Sequence, residues 1–222
     1  MRLGLTGRER LVDVACGPAP LAIGFAPFVG TVLGVDPEAK MIADAKVAAA
    51  EAGVTIELKQ ARFEEAGDSL GSVDVVTIGR ALHWLPRERT LALLEQAVVP
   101  GGRILVGGSI RSQSAVNRWL KTFDTIRRAW SSDPVERRYL LSAERWFAGS
   151  RYRKVGQVTV TLRRRIRVAD LIGRALSLST SSPAQLGRRR ADFERALRDG
   201  LKPFAPDGVL HEEIKAGAKI FQ

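Results

Sequence analysis

The chain has 222 residues, 45% of them hydrophobic and 27% charged. That is the size and mixture of one α/β domain or two very small ones, and it excludes a disordered or low-complexity chain. The single cysteine, Cys16, excludes a disulfide framework and a cysteine-rich zinc site, and fits a reducing, cytoplasmic compartment. No apolar segment of a secretory signal precedes Glu9. The 22 residues Val14 to Val35 carry no charge, which raises a membrane span. Gly17, Pro18, Pro20, Gly24, Pro27, Gly30 and Gly34 interrupt them, so they read as strand, loop, helix and strand, and no membrane is expected as a partner. The net charge is +11, unevenly spread: residues 1–110 hold 11 basic against 13 acidic side chains, residues 111–222 hold 24 against 11. Such an excess suits an anionic partner: a carboxylate substrate, RNA or a membrane surface. It equally suits a coding bias, since arginine outnumbers lysine 27 to 8.

In chain order, Leu11–Ala15 is a short apolar run that ends in a turn-forming cluster, Cys16 to Pro20. Pro20 can open a helix, because a first-turn N–H is unbonded anyway. Leu21, Ala22, Phe25 and Ala26 then recur at helical spacing until Gly30. Thr31–Val35 is a second strand, closed by Asp36-Pro37. Glu38–Ala52 is a helix with Gly53 as its stop. Val54–Leu58 is a strand, Glu64–Ser69 a loop or short turn, and Val73–Ile78 a continuous apolar run of the buried parallel kind. Pro86–Val98 is a helix. Gly101-Gly102 turns into a strand at Arg103–Val106, which Gly107-Gly108 closes. The alternation predicts a parallel sheet covered on both faces, joined by right-handed crossovers. Residues 111–150 lose this rhythm and read as two helices, about 114–129 and 134–147. Val155–Arg163 alternates with period two and is a strand. Val168–Leu176 and Pro183–Leu201 are helices, and a last strand lies around Ile214–Ile220. No internal repeat or long linker is present.

The central signal is Asp13-Val14-Ala15-Cys16-Gly17-Pro18-Ala19, between the first strand and the first helix. In open α/β sheets ligands bind at that point, outside the carboxyl ends of the strands. Small residues at 15, 17 and 19 let a ligand approach the backbone, and the following helix points N–H groups at it. Asp13 repels a pyrophosphate but attracts a ligand ammonium group. Asp36, 19 residues after Gly17, can accept both hydroxyls of a ribose. An ammonium contact with a ribose contact describes S-adenosylmethionine better than a nicotinamide dinucleotide.

With these residues the chain resembles the class I, seven-strand S-adenosylmethionine-dependent methyltransferases. Asp13 to Gly17 is similar to that family's first motif. Gly34-Val35-Asp36-Pro37, with Met41 five residues past the acid, is similar to the second. Ala61-Arg62-Phe63-Glu64 takes the adenine-contacting third position. Val73–Gly79 followed by Ala81-Leu82-His83-Trp84-Leu85-Pro86 is similar to the fourth, and Pro100-Gly101-Gly102-Arg103 to the fifth. The resemblance is specific over about residues 11–109 and looser over 155–222. Ala15 and Ala19 stand where glycine is commoner, and Arg62 where many relatives carry an acid. Relatives usually carry one or two helices before the first strand, whereas about ten residues precede it here, which suggests a late start site or a truncated form with an open pocket.

The resemblance implies a three-layer, Rossmann-like α/β sandwich: a mostly parallel seven-stranded sheet with its last strand antiparallel. One methyltransferase domain would span 1–222, with a cofactor-binding core over 11–109, a helical acceptor-side insertion over 111–150, and helices and strands over 155–222. It implies S-adenosylmethionine held by Asp13, Ala15, Cys16, Gly17, Asp36, Pro37, Met41, Ala61, Arg62, Phe63, Ile78 and Gly79, with no metal. Arg80, Trp84 and Arg111 are the candidates for the acceptor. His83 is a candidate general base, or alternatively a structural or substrate-orienting histidine. Cys16 has no base beside it and reads as a loop residue, not a nucleophile. The Ala81 to Trp84 segment is similar to small-molecule members, including trans-aconitate-type carboxyl methyltransferases. A small acceptor, with a carboxylate as the favoured case, is therefore expected, walled by the 111–150 segment with its tryptophans. Two rival readings are an RNA methyltransferase using the basic half, with nucleic acid the less favoured partner, and a catalytically inactive cofactor-binding protein. The oligomeric state stays open.

Overall fold

The computed structural model describes residues 3–111, 113–131 and 142–222. These residues form a seven-stranded sheet in the order β3-β2-β1-β4-β5-β7-β6. The strands are β1 (Arg10–Val14), β2 (Thr31–Asp36), β3 (Glu57–Gln60), β4 (Val73–Gly79), β5 (Val98–Ile110), β6 (Lys154–Arg167) and β7 (Val209–Phe221). The helices are α1 (Pro20–Phe25), α2 (Ala39–Glu51), α3 (Arg87–Ala97), α4 (Leu120–Trp130), α5 (Ala143–Trp146), α6 (Val168–Leu176), α7 (Pro183–Leu186) and α8 (Arg190–Leu201). Strand β1 pairs in parallel with both β2 and β4, β2 with β3, and β4 with β5. Strand β7 is antiparallel to β5, as expected of the last strand. Next to the end of β7, Arg153 and Gln222 exchange both backbone hydrogen bonds, the signature of an antiparallel pair.

Contacts group the chain into two compact units. One comprises Met1–Gly108, Leu141–Thr159 and Gly217–Gln222; the other comprises Ser109–Leu140 and Val160–Ala216. Strands β5, β6 and β7 carry residues of both.

The first unit is a three-layer sandwich, built by the alternation of side chains along each strand. Val12 and Val14 of β1, Leu33 and Val35 of β2 and Ile104 of β5 enter one apolar cluster, with Leu94 of α3 and Trp146 of α5. Leu11, Val32 and Leu105 enter another, with Ala22 of α1 and Ile42 and Ala45 of α2. Neighbouring residues of one strand thus bury opposite faces, and helices cover both. In the second unit Trp119, Phe123, Leu171, Phe193, Leu197 and Leu201 form a core among α4, α6 and α8. Gly200 permits the approach of α4 to α8: a Cβ there would collide with the Ile126 side chain.

Several boundaries differ from the sequence reading, each for a local reason. The strand expected at Val54–Leu58 begins only at Glu57. Gly53 at φ +65° closes α2, its N–H bonding Ala50 O at 3.1 Å while the Val54 N–H bonds Ala49 O at 3.1 Å. Those two bonds are a Schellman cap, so Val54 belongs to the helix stop. The turn expected at Gly101-Gly102 lies inside β5 as a bulge, where pairing jumps from Val73↔Val98 to Val75↔Arg103. The helix expected over Pro183–Leu201 breaks at Gly187, φ +53°, into α7 and α8 joined by a 3-10 turn. Of the helix expected over 134–147, the stretch 134–141 lies outside the described residues and Ala143–Trp146 is a single turn. The other expected helix, 114–129, is shorter, Leu120–Trp130. Strand β6 forms with Val158, Val160 and Leu162 on one side, as the alternation predicts, yet all three are about half exposed. Strand β7 begins five residues before the expected Ile214, because the buried Glu212 and Glu213 have arginine partners from elsewhere in the chain.

Candidate active site

Strands β1, β2 and β4 end together, and the loops that leave them meet. The loop after β1 is fixed at both ends: the Cys16 N–H donates to Val35 O at 3.0 Å, and the Ala19 N–H to Cys16 O at 2.9 Å. The carboxylate that ends β2 completes the joint. Asp36 Oδ2 accepts the Gly17 N–H at 2.8 Å and Oδ1 accepts the Glu38 N–H at 2.9 Å. Its backbone carbonyl accepts the Ala61 N–H at 3.1 Å. Three segments separated by some 20 residues each are thereby held around one carboxylate.

Space and strain coincide there. Gly17 has φ +57°, and a Cβ built on it meets nothing within 4 Å, so the loop is open on that side. Gly34 is needed for the opposite reason: a Cβ would stand 2.9 Å from Leu58 Cδ2 and 3.0 Å from Cys16 Sγ. Among the described residues, the three non-glycine residues with positive φ are Ala15, Ala19 and Arg80, at +51°, +57° and +61°. All three follow β1 or β4 at this site. Backbone held in that region costs roughly 1–3 kcal/mol per residue and collects at ligand sites.

Asp13 is 1% exposed. The Thr77 hydroxyl donates to its Oδ1 at 2.6 Å and the Ala22 N–H to its Oδ2 at 3.2 Å. The carboxylate thus satisfies an orphan N–H in the first turn of α1, where the preceding Ala19 offers no side-chain cap. Burial raises its pKa to about 6, the Asp36 charge acting in the same direction and the two hydrogen bonds against it. Thr77 was not singled out in the sequence; its signal is a lone hydroxyl residue inside the apolar run Val73–Ile78. Cys16 is buried, and burial followed by the Asp13 and Asp36 charges pushes its thiol up to about 12. A thiol so held is no nucleophile.

The other expected cofactor residues divide by exposure. Pro37 and Arg62 are exposed, Met41, Ala61, Ala15 and Gly79 half-buried. Phe63 and Ile78 lie inside the apolar cluster of the first unit, 4% and 0% exposed, so their side chains act as core. Gly79 gives passage to α1, since a Cβ would stand 2.7 Å from Leu21 Cδ1. Beyond β4, the Arg80 side chain is exposed and its N–H bonds Gly107 O at 2.9 Å. His83 is half-buried with its ring 4.8 Å from that of Trp84, and Trp84 is 57% exposed. Arg111 lies in the second unit, where its Nε is bound to Glu212. Part of the donor set of this expected acceptor residue is therefore taken by Glu212. No group of three or more His, Cys, Asp or Glu able to hold a metal ion occurs among the described residues, and no described helix is long and apolar enough to cross a membrane.

A sheet in the order 3-2-1-4-5-7-6 with β7 reversed, with a glycine loop tied to the acid that ends β2, is the arrangement of the Rossmann-like methyltransferase fold. Known proteins agree: residues 11–102 match the family described as a methyltransferase domain. The chain is 31% identical over 122 residues to the ubiquinone biosynthesis O-methyltransferase of Cupriavidus pinatubonensis, 54% of this chain and 46% of that protein. It thus spans less than half the length of that curated relative. Among solved structures, a putative type II methyltransferase from Anaeromyxobacter dehalogenans superposes with a TM-score of 0.71 at 18% identity, over 98% of this chain and 90% of that one. An S-adenosylmethionine-dependent methyltransferase from Geobacter sulfurreducens, solved with S-adenosyl-L-homocysteine, shares the fold with a TM-score of 0.51 at 15% identity, over 99% and 86%.

Proposed function

We propose that this chain transfers a methyl group from S-adenosylmethionine to a small-molecule acceptor. The observation that carries the reading is the Asp36 junction. A carboxylate at the end of β2 is bonded to the Gly17 N–H beside open space, with the Ala61 backbone bonded to the same residue. Each Asp36 oxygen keeps a lone pair for a ribose hydroxyl, because among the described residues each accepts one N–H only. Ala61 and Arg62 would flank the adenine, and Asp13 would act through its charge and its hold on α1, being sealed from contact.

Bound there, S-adenosylmethionine supplies a methyl group already activated by the sulfonium. The protein's task is then to position and desolvate the two reactants. Arg80 and Trp84, the exposed side chains that follow β4, would meet the acceptor; an indole face suits a planar one and a guanidinium an anionic one. His83 beside Trp84 could take the proton of a hydroxyl acceptor. A carboxylate acceptor would make that proton transfer unnecessary. The O-methyltransferase name of the curated relative supports oxygen as the atom methylated.

The test has two arms. Titration calorimetry should show one-to-one binding of S-adenosylmethionine, lost in Gly17→Val. Incubation with panels of phenols and carboxylic acids should then release S-adenosylhomocysteine with at least one of them. An absence of cofactor binding by the folded protein would overturn the reading.

A further inference from the structure

The second unit contains a charge cluster that takes in Arg111, one of the expected acceptor residues, and that the proposed methyl transfer leaves otherwise unused. Glu212 on β7 is completely enclosed, with 0% of its side chain exposed. Three guanidiniums from separate elements converge on it. Arg111 donates through Nε to Oε1, Arg174 of α6 through a terminal nitrogen to Oε1 at 2.7 Å, and Arg164 of β6 through Nε to Oε2 at 2.8 Å. Burial alone would push the Glu212 carboxyl up, but these three bonds outweigh it and hold it down at about 2. It is therefore a fixed anion.

One carboxylate against three guanidiniums leaves an excess of two positive charges. Neighbouring acids do not cancel it, although the Asp170 charge also acts on Arg174. Glu213 is engaged by Arg163 at 2.8 Å, Asp207 faces Arg165 at 3.6 Å, and Asp170 is gripped by both ends of Arg167 at 2.8 Å. One such cation already neutralises a single buried carboxylate. The arrangement is also layered: the carboxylate is hidden, whereas the side chains of Arg111, Arg174 and Arg164 are 28%, 31% and 50% exposed. The face that solvent meets is cationic. Each guanidinium carries five N–H donors in a fixed plane, and among the described residues these three spend only the one bond each on Glu212. Their remaining donors are already oriented by the buried anion, which lowers the ordering cost of engaging a ligand.

We propose that Arg111, Arg164 and Arg174, pinned from beneath by Glu212, form a receptor for a small ligand that presents two negative charges, on one phosphate group or on a pair of carboxylates. Planar guanidinium forks match both groups bidentately. The site stands on its own residues and does not depend on the methyl-transfer reading.

The experiment is titration calorimetry of the full chain at low ionic strength with inorganic phosphate, pyrophosphate and citrate as probes. One-to-one saturable binding of at least one probe is expected. Arg164→Gln and Arg174→Gln should each weaken it about tenfold or more, the usual weight of a hydrogen bond between charged groups. Arg188→Gln, an exposed arginine elsewhere in the unit, should leave it unchanged. Glu212→Gln should tighten it, because the amide oxygen still accepts from Arg111 and Arg174 and keeps them oriented while the competing negative charge is gone. Circular dichroism checks each fold, and the two arginine variants decide the matter if Glu212→Gln does not fold. Pyrophosphate bound without citrate assigns a phosphate ester, and the reverse a polycarboxylate. No saturation by about 20 mM probe, or equal losses in all three arginine variants, would overturn the proposal.

Discussion

Two carboxylates 23 residues apart in sequence do different work at the proposed cofactor site. Asp36 is an organiser: it ties the Gly17 loop and the start of α2 to the end of β2. Asp36→Ala should weaken S-adenosylmethionine binding by about 1–3 kcal/mol, the cost of losing a charged hydrogen-bond partner. Calorimetry on a folded variant with unchanged affinity would refute the ribose assignment. Asp13 is a buried charge whose pKa stands at about 6, raised chiefly by desolvation. A cationic ligand favours its ionised form, so protons and ligand compete. Affinity for S-adenosylmethionine should therefore fall as pH drops through about 6. Asp13→Asn should flatten that profile; calorimetry at pH 5 and 7.5 on both proteins measures it.

At the level of elements, the strain at the strand ends has a readable energy. Arg80 sits at φ +61° with its N–H bonded to Gly107 O, and glycine would keep that bond without the Cβ penalty. Arg80→Gly should raise the unfolding free energy by up to about 1 kcal/mol, part of the relief being offset by the looser unfolded chain. A loss of stability in urea titrations would show that the arginine side chain contributes more than its backbone costs. Gly79→Ala should do the reverse, losing about 0.5–1.5 kcal/mol as the half-buried Leu21 side chain is pushed aside. The same elements show what a sequence discloses. The alternation of β1 to β5 with α1 to α3 was legible because buried parallel strands leave continuous apolar runs and helices leave capped periodic ones. So was the meeting of Gly17 with Asp36, since both lie in motifs with a fixed place in the fold. Val54 misled because a Schellman cap needs an apolar residue just where a strand might start. Strand β6 showed the right period, but its apolar side is half exposed, because periodicity reports conformation and not what covers it. Thr77 and the Glu212 cluster were illegible for another reason. Their partners stand 64, 38, 48 and 101 residues away, and only the completed sheet brings them together.

At the scale of the whole molecule, two buried acids with opposite shifts shape the dependence of stability on pH. Asp13 has its pKa raised in the fold from 3.8 to about 6. Its contribution is fully present below about 3.8 and is lost as pH rises through about 6. A shift of that size corresponds to about 3 kcal/mol. Glu212 is depressed from 4.5 to about 2, so its contribution is present above about 4.5 and is lost as pH falls toward 2. It too corresponds to about 3 kcal/mol. The net charge of +11 grows as carboxylates protonate, and self-repulsion steepens the acid side. The ligand-free protein should accordingly be most stable between about pH 4.5 and 6, weaker at 7.5, and sharply weaker below 4. Urea unfolding at pH 7.5, 6, 5, 4 and 3 traces the curve. Asp13→Asn should remove the gain between pH 7.5 and 5, while Glu212→Gln should blunt the fall below 4.5. If the parent protein is no more stable at pH 5.5 than at 7.5, and Asp13→Asn follows the same curve, the buried carboxylate of β1 carries no energetic penalty and the expected competition between protons and a cationic ligand goes with it.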